Sequence, residues 1–264
     1  MATNPGLLLC ELHAHTRWSD GELGVRELCD LYGRNGFDVL AITDHTALRA
    51  HLQAADFGAY LAEVEREAAR ARRLYDLLVL PGLELTYDAP EPEAAGHAVA
   101  LGLRSFVGVG AGLEEALRAA RAEGAALVAA HPYPLETAAT SARATAAFAC
   151  DPARWSPLVD RFELVNRDTV FPWVARAGLP AVATGDFHVP AHLATWKTML
   201  PCARDEEAVL DHLRSPRPAY LVRVAGAGRV ARDPRRPGGR RHDGSGPAPW
   251  ARPPRPAARR GSGP

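Results

Sequence analysis

The chain has 264 residues, enough for one large domain or two small ones with a sizeable core. Its formal net charge is zero, yet residues 226–264 hold ten Arg and two Asp, which leaves residues 1–225 with 21 basic against 29 acidic groups. No uncharged apolar run approaches the ~20 residues that span a bilayer, the N-terminus lacks a basic n-region, and Cys10, Cys29, Cys150 and Cys202 form no CxxC pair, so a membrane segment, a secretory signal, a zinc ribbon and a disulfide framework are all unexpected.

A cytoplasmic location and four cysteines acting as small buried apolar residues follow from that reading. In chain order, LLLCEL reads as a short strand, GVRELCDLYGRNG as an amphipathic helix closed by Gly36, and VLAIT (39–43) as a buried strand. AYLAEVEREAARARRLYDLL has apolar residues at helical spacing and runs into the strand LLVLPGLEL (77–85). There follow HAVALGL (97–103), the helix GLEEALRAARAEG (112–124), the strand ALVAAH (126–131), an Ala-rich helical stretch to about Cys150, FELVN (162–166), VFPWVARAG and the strand AVATGD (181–186). A helix, DEEAVLDHLRS, and a strand, AYLVRV (219–224), close the body. Such strand–helix alternation predicts an α/β fold with a mainly parallel sheet, either a barrel or doubly wound.

After Val224 the composition changes. Residues 226–264 hold eight Pro and eight Gly, with Val230 and Trp250 as their large apolar side chains, too little to offset chain entropy. The expected organisation is therefore a domain over 1–225 and a disordered tail over 226–264. The tail reads either as an Arg-rich arm for nucleic acid or as an unselected terminus; the second is preferred, because only Trp250 is interleaved with the arginines.

Of the ten histidines, His15, His45, His131 and His188 each follow an apolar strand run, and His13 ends the first. Glu84, Asp186 and Asp20 share that placement, and in parallel α/β folds strand ends converge on one face, where sites are built. His13 and His15 lie two apart, on one side of an extended chain, and Asp186 and His188 repeat the spacing, so each pair can reach one ion. Oxygen and nitrogen ligation without thiolate suits Zn, Mn or Fe. His51, His192, His212 and His242 read as core or surface residues.

The segments ELHAHTRWSDG (11–21), AITDH (41–45), PGLELT (81–86), GHAVALGL (96–103), AAHPY (129–133) and TGDFH (184–188) resemble, in order, the motifs of the PHP (polymerase and histidinol phosphatase) family. The resemblance covers about residues 7–224 and implies a distorted seven-stranded β/α barrel, related to the TIM barrel, with two or three divalent transition-metal ions at the C-terminal rim and phosphoester hydrolysis by a metal-bridged hydroxide. It implies one ion held by His13, His15, Glu84 and Asp186, a second by Glu84, His97 and His131, and a third by Asp20, His45 and His188. His97 rests on the resemblance, since it precedes its apolar run rather than ending one. Asp44 reads as orienting a ligand or closing a turn.

Clustered divalent ions need no protein nucleophile, and the chain has no G-x-S-x-G elbow, no Walker A loop and no G-x-G-x-x-G after a strand. Phosphate recognition would fall to Arg17 and Arg167, with Lys197 a weaker third, each of which also reads as a solvated surface residue; Asn166 touches substrate or closes a turn, and His188 could donate a proton only where metal does not claim it. A small or nucleotide-like phosphoester is the expected substrate, nucleic acid is less favoured, and no membrane partner is expected. Hydrolysis of a carbamate or carboxyl ester, a 5'-3' exonuclease-type activity and a non-catalytic module are the competing readings.

Overall fold

The structure, a computed structural model, describes residues 6–46, 52–138 and 145–225; the disorder expected over 226–264, and part of the Ala-rich helix, lie outside these residues. In chain order the elements are β1 (Leu8–Glu11), α1 (Val25–Arg34), β2 (Val39–Ile42), α2 (Phe57–Tyr75), β3 (Leu78–Tyr87), β4 (Gly96–Leu101), α3 (Leu113–Ala122) and β5 (Ala126–Ala130). The short helices α4 (Leu135–Ala138), α5 (Ala147–Cys150) and α6 (Pro152–Trp155) follow, then β6 (Arg161–Asn166), β7 (Thr169–Val170), α7 (Pro172–Arg176) and β8 (Ala181–Thr184). A 3-10 turn at Pro190–Leu193, β9 (Trp196–Leu200), α8 (Glu206–Arg214) and β10 (Tyr220–Arg223) complete the order.

The helices form where the apolar period is 3.6. In α1, Val25, Leu28, Cys29 and Tyr32 fall on one buried stripe, the Gly24 N–H donates to Glu27 at the first turn, and Gly36 takes a positive φ of 78° just past the end. In α8, Asp205 caps the N-terminus by accepting from the Ala208 N–H at 2.8 Å, and Val209, Leu210 and Leu213 pack inward. The strands obey period two with both faces covered. Leu8, Cys10, Val39 and Ala41 enter one apolar cluster with α8, whereas Leu9, Leu40 and Ile42 enter a second with α1 and α2. Cys10, Cys29 and Cys202 are buried as expected, but Cys150 is exposed at the end of α5.

The described residues form one curled sheet of ten strands, in the order β10-β9-β1-β2-β3-β4-β5-β6-β7, with β8 also pairing β6. This corrects the expected seven: β10 is the strand expected over 219–224, and β7 and β9 are antiparallel additions that no strand–helix alternation announces. The sheet is mixed rather than mainly parallel: β4 runs antiparallel to both β3 and β5. Beyond β8 the chain comes back to β1 through a parallel bridge between Ala14 and Phe187, in which the His15 N–H donates to the Phe187 carbonyl at 2.8 Å and the Phe187 N–H to the His13 carbonyl at 3.1 Å. That return brings the two ends of the chain's histidine-bearing segments side by side. No described helix is long and apolar enough to cross a membrane.

Candidate metal centre

Strand direction decides which side chains meet. His13 and His15 lie just past β1, His45 just past β2, His131 just past β5, and Asp186 and His188 just past β8. Glu84 sits within β3, bridged to His45 on the next segment. His97 opens β4, and since β4 is antiparallel to β3, with His97 opposite Thr86, the start of β4 lies at the end where the parallel strands finish. This explains why His97 precedes its apolar run: on an antiparallel strand the rim residue comes first.

Nine side chains converge into three overlapping groups. His13 Nε2 and His15 Nε2 are 3.0 Å apart, and each lies 3.3 Å from Glu84 Oε2. Asp186 Oδ1 is 3.8 Å from the first and 3.5 Å from the second. Glu84 Oε1 lies 3.0 Å from His131 Nε2 and 3.2 Å from His97 Nδ1. Asp20 lies 3.2 Å from His188 Nε2, 3.6 Å from His45 Nε2 and 3.8 Å from His15 Nδ1. The third group therefore includes His15 beside the expected Asp20, His45 and His188. The glutamate belongs to two groups and is fully buried, whereas the Asp20 side chain is 45% exposed, so the cluster opens to solvent on the Asp20 side.

The donor set fits divalent cations. Buried acceptors and imidazole nitrogens face one another at 3.0–3.3 Å, an arrangement that repels unless protons or cations stand between them. Among the described residues, Glu84 Oε2, His97 Nδ1 and His131 Nδ1 are buried without a hydrogen-bond partner. Thiolates are absent from the groups, which offer nitrogen and oxygen donors alone.

Without cations, protons partition unequally over the cluster. Burial raises the cost of charge on Glu84 and Asp186, but the surrounding imidazoles outweigh it and hold both carboxyls well below the ordinary range. Burial likewise opposes charge on His97 and His188, yet Asp88 with Glu84, and Asp186 with Asp20, push them up to about 9. His15 goes the other way: burial and the neighbouring His45 lower it to about 3.

Several residues take parts that their sequence context does not reveal. Asp44 is buried and accepts from the Thr16 N–H at 2.7 Å, the Thr16 hydroxyl at 2.8 Å and the Ser19 hydroxyl at 2.6 Å, so it pins the turn that carries Asp20. Gly21 completes this turn, because a Cβ there would collide with the His15 carbonyl. Arg17 is 61% exposed and engaged by Glu27 at 2.7 Å and by the Glu22 carbonyl at 3.0 Å, not by the cluster. Arg167 does adjoin it, donating to Asp186 Oδ2 and to the Asp186 carbonyl and lying 3.1 Å from His188 Nδ1. Lys197 is fully buried against Glu11, which removes it from the rim, and Asn166 donates to Glu163 rather than facing a substrate.

Glu163, the second residue of FELVN, is the residue that motif reading misses; its one visible signal is a carboxylate inside an otherwise apolar, buried run. The residues at the strand ends also depart from ordinary backbone: His131, Arg167 and Asp186 have φ of 28°, 54° and 42°, a left-handed region that non-glycine residues seldom occupy outside sites held by their surroundings.

Residues 11–140 match the PHP domain family model, which bears out the resemblance read from the motifs. The chain is 33% identical over 93 residues to the DNA polymerase/3'-5' exonuclease PolX of Bacillus subtilis, a stretch covering 31% of this chain and only 16% of that protein. In fold it is similar to a two-domain protein containing a predicted PHP-like metal-dependent phosphoesterase from Bacteroides vulgatus, with TM-score 0.64 and 19% identity over 83% of this chain and 65% of that one. An amidohydrolase from Chromobacterium violaceum is similar with TM-score 0.51 and 17% identity, over 83% of this chain and 99% of the other.

Proposed function

We propose that the chain is a metal-dependent hydrolase acting on ester bonds, and that its substrate is a small or nucleotide-like phosphoester. The observation that carries this reading is the sharing of buried Glu84 between the group of His13 and His15 and the group of His97 and His131. A carboxylate with one oxygen toward each group could serve two neighbouring cations at once. His13, His15, Glu84 and Asp186 would hold one ion, Glu84, His97 and His131 a second, and Asp20, His45 and His188, with His15 adjacent, a third. When bound, clustered divalent ions lower the pKa of water to near neutrality and neutralise phosphoryl oxygens.

The chain's own groups would do the rest. Arg167, anchored by Asp186 and 23% exposed, offers remaining N–H donors toward a phosphoryl oxygen. His188 Nδ1 lies 3.1 Å from Arg167, and where no ion occupies its Nε2 that atom, facing the exposed Asp20, is where a proton could pass to a leaving oxygen. Arg17 has no part in this reading.

The test is turnover of p-nitrophenyl phosphate beside an aryl ester and a carbamate, each with Mn²⁺ or Zn²⁺. Phosphoester turnover is expected; turnover of the carboxyl or carbamate ester alone would replace the phosphoester reading with its nearest competitor. The local likeness to PolX favours, as a second reading, a phosphodiester in nucleic acid, which end-labelled single-stranded DNA in the same assay would expose.

A further inference from the structure

We infer that Glu163 is a positioning residue that fixes His13 as the Nδ1–H tautomer and so leaves its Nε2 lone pair facing the cluster. The inference rests on the metal-dependent reading above and adds to it a residue that touches none of the three groups' shared centre.

Glu163 is fully buried in β6, and among the described residues its one ion-pair partner is His13. Its two oxygens receive four donors. Oε1 accepts from His13 Nδ1 at 2.9 Å and from the Thr184 hydroxyl at 2.6 Å; Oε2 accepts from the His131 backbone N–H at 2.6 Å and from Asn166 Nδ2 at 2.8 Å. Four donors match the four lone-pair positions of an ionised carboxylate. A bare His13 Nδ1 would put a lone pair against a carboxylate oxygen at 2.9 Å, so this nitrogen carries the proton. In the neutral ring Nε2 is then an acceptor, and Nε2 is the atom that meets His15 and Glu84.

The same carboxylate reaches a second group. By taking the His131 N–H it ties down a residue whose φ of 28° is otherwise unfavourable, and His131 Nε2 lies 3.0 Å from the other oxygen of Glu84. One buried side chain thus sets the ring of one ligand candidate and the backbone of another. An outer partner of this kind is worth about 10–100-fold in metal affinity.

Glu163→Gln keeps the shape but provides one acceptor oxygen in place of two. Whichever way its amide turns, an NH₂ group confronts either His13 Nδ1–H with Thr184 or the His131 N–H with Asn166. The experiment uses the full chain and zinc alone. Isothermal titration should show zinc affinity lower in Glu163→Gln by about 10–100-fold, with the far-UV circular dichroism retained. In the zinc-loaded wild type, long-range ¹H–¹⁵N correlation of the histidine rings, with His13 assigned by its loss in His13→Asn, should show a proton on Nδ1; Asn166→Ala should keep it. A wild-type His13 ring protonated at Nε2 would overturn the inference even if Glu163→Gln fails to fold, and so would wild-type zinc affinity in a folded Glu163→Gln. A wild-type chain that takes up no zinc, manganese or iron would instead overturn the metal-dependent reading itself.

Discussion

Lys197 Nζ lies 2.9 Å from Glu11 Oε2 with both side chains fully buried, a closed ion pair beneath the segment that carries His13 and His15. Glu11 also accepts from the Tyr32 hydroxyl at 2.8 Å and from the Gly185 N–H at 2.8 Å, while Lys197 donates to Thr195 and to the His192 carbonyl. The chain's lone lysine therefore ties β9 to β1 and to the turn before Asp186.

Lys197→Met should destabilise the fold by about 3–5 kcal/mol, since it strands a buried carboxylate without its counter-charge. Urea unfolding measures this. Replacing Glu11 and Lys197 together by apolar residues should cost less than Lys197→Met alone, and a double loss equal to the sum of the two single losses would show that the pair is not coupled.

Glu84→Ala should abolish hydrolysis and remove more bound metal than His97→Ala, because the glutamate serves two groups and the histidine one. Elemental analysis of the purified variants reads the difference directly. His13→Ala should likewise abolish hydrolysis with the fold largely intact.

Metal loading should release protons in a pH-dependent way. His97 and His188 sit at about 9 without metal, so at pH 7 both are protonated and each yields a proton to an incoming ion. As pH rises through about 9 that release disappears, and apparent metal affinity levels off. His15, at about 3, contributes none in this range. Calorimetric titration in buffers of different ionisation enthalpy, at pH 7 and pH 10, counts the protons; an equal count at both would contradict the assignment of these two residues as ligands.

Acid stability should depend on a histidine far from the cluster. His212 is fully buried in α8 with Nε2 2.9 Å from the Pro218 carbonyl, and burial holds its pKa below the ordinary histidine value. Below the unfolded value of ~6.5 the unfolded chain binds a proton that the folded chain resists, so stability rises with pH and is lost as pH falls through that range. His212→Gln, which can keep a donor toward Pro218, should show a smaller drop in Tm between pH 7 and pH 5.5 than the wild type.

The convergence of eight of the nine cluster residues was legible because strand ends meet at one rim, and each of His15, His45 and His131 closes an apolar run. Spacing alone brought out the His13–His15 and Asp186–His188 pairs, since residues two apart on an extended chain share a side. His97 needed the direction of β4, which sequence periodicity does not carry: an apolar strand reads the same whichever way it runs. Arg17 and Lys197 show the converse. Arg17 lies inside one motif segment and Lys197 beyond another, and both are claimed by carboxylates from elsewhere, Glu27 in one case and Glu11 in the other.

Residue type and short-range spacing, then, determined by themselves which chemistry this chain can host, because metal ligation depends on nitrogen and oxygen donors that a linear reading can count. Tertiary structure alone decided how these donors are aimed. Three of the four bonds to Glu163 join β6 to residues 21 to 150 positions away, and the Glu11–Lys197 pair spans 186 positions, so these exist only once strand order and register are set. Contacts of that range are fixed by the curl of the sheet, and the sequence shows their participants without showing that they meet.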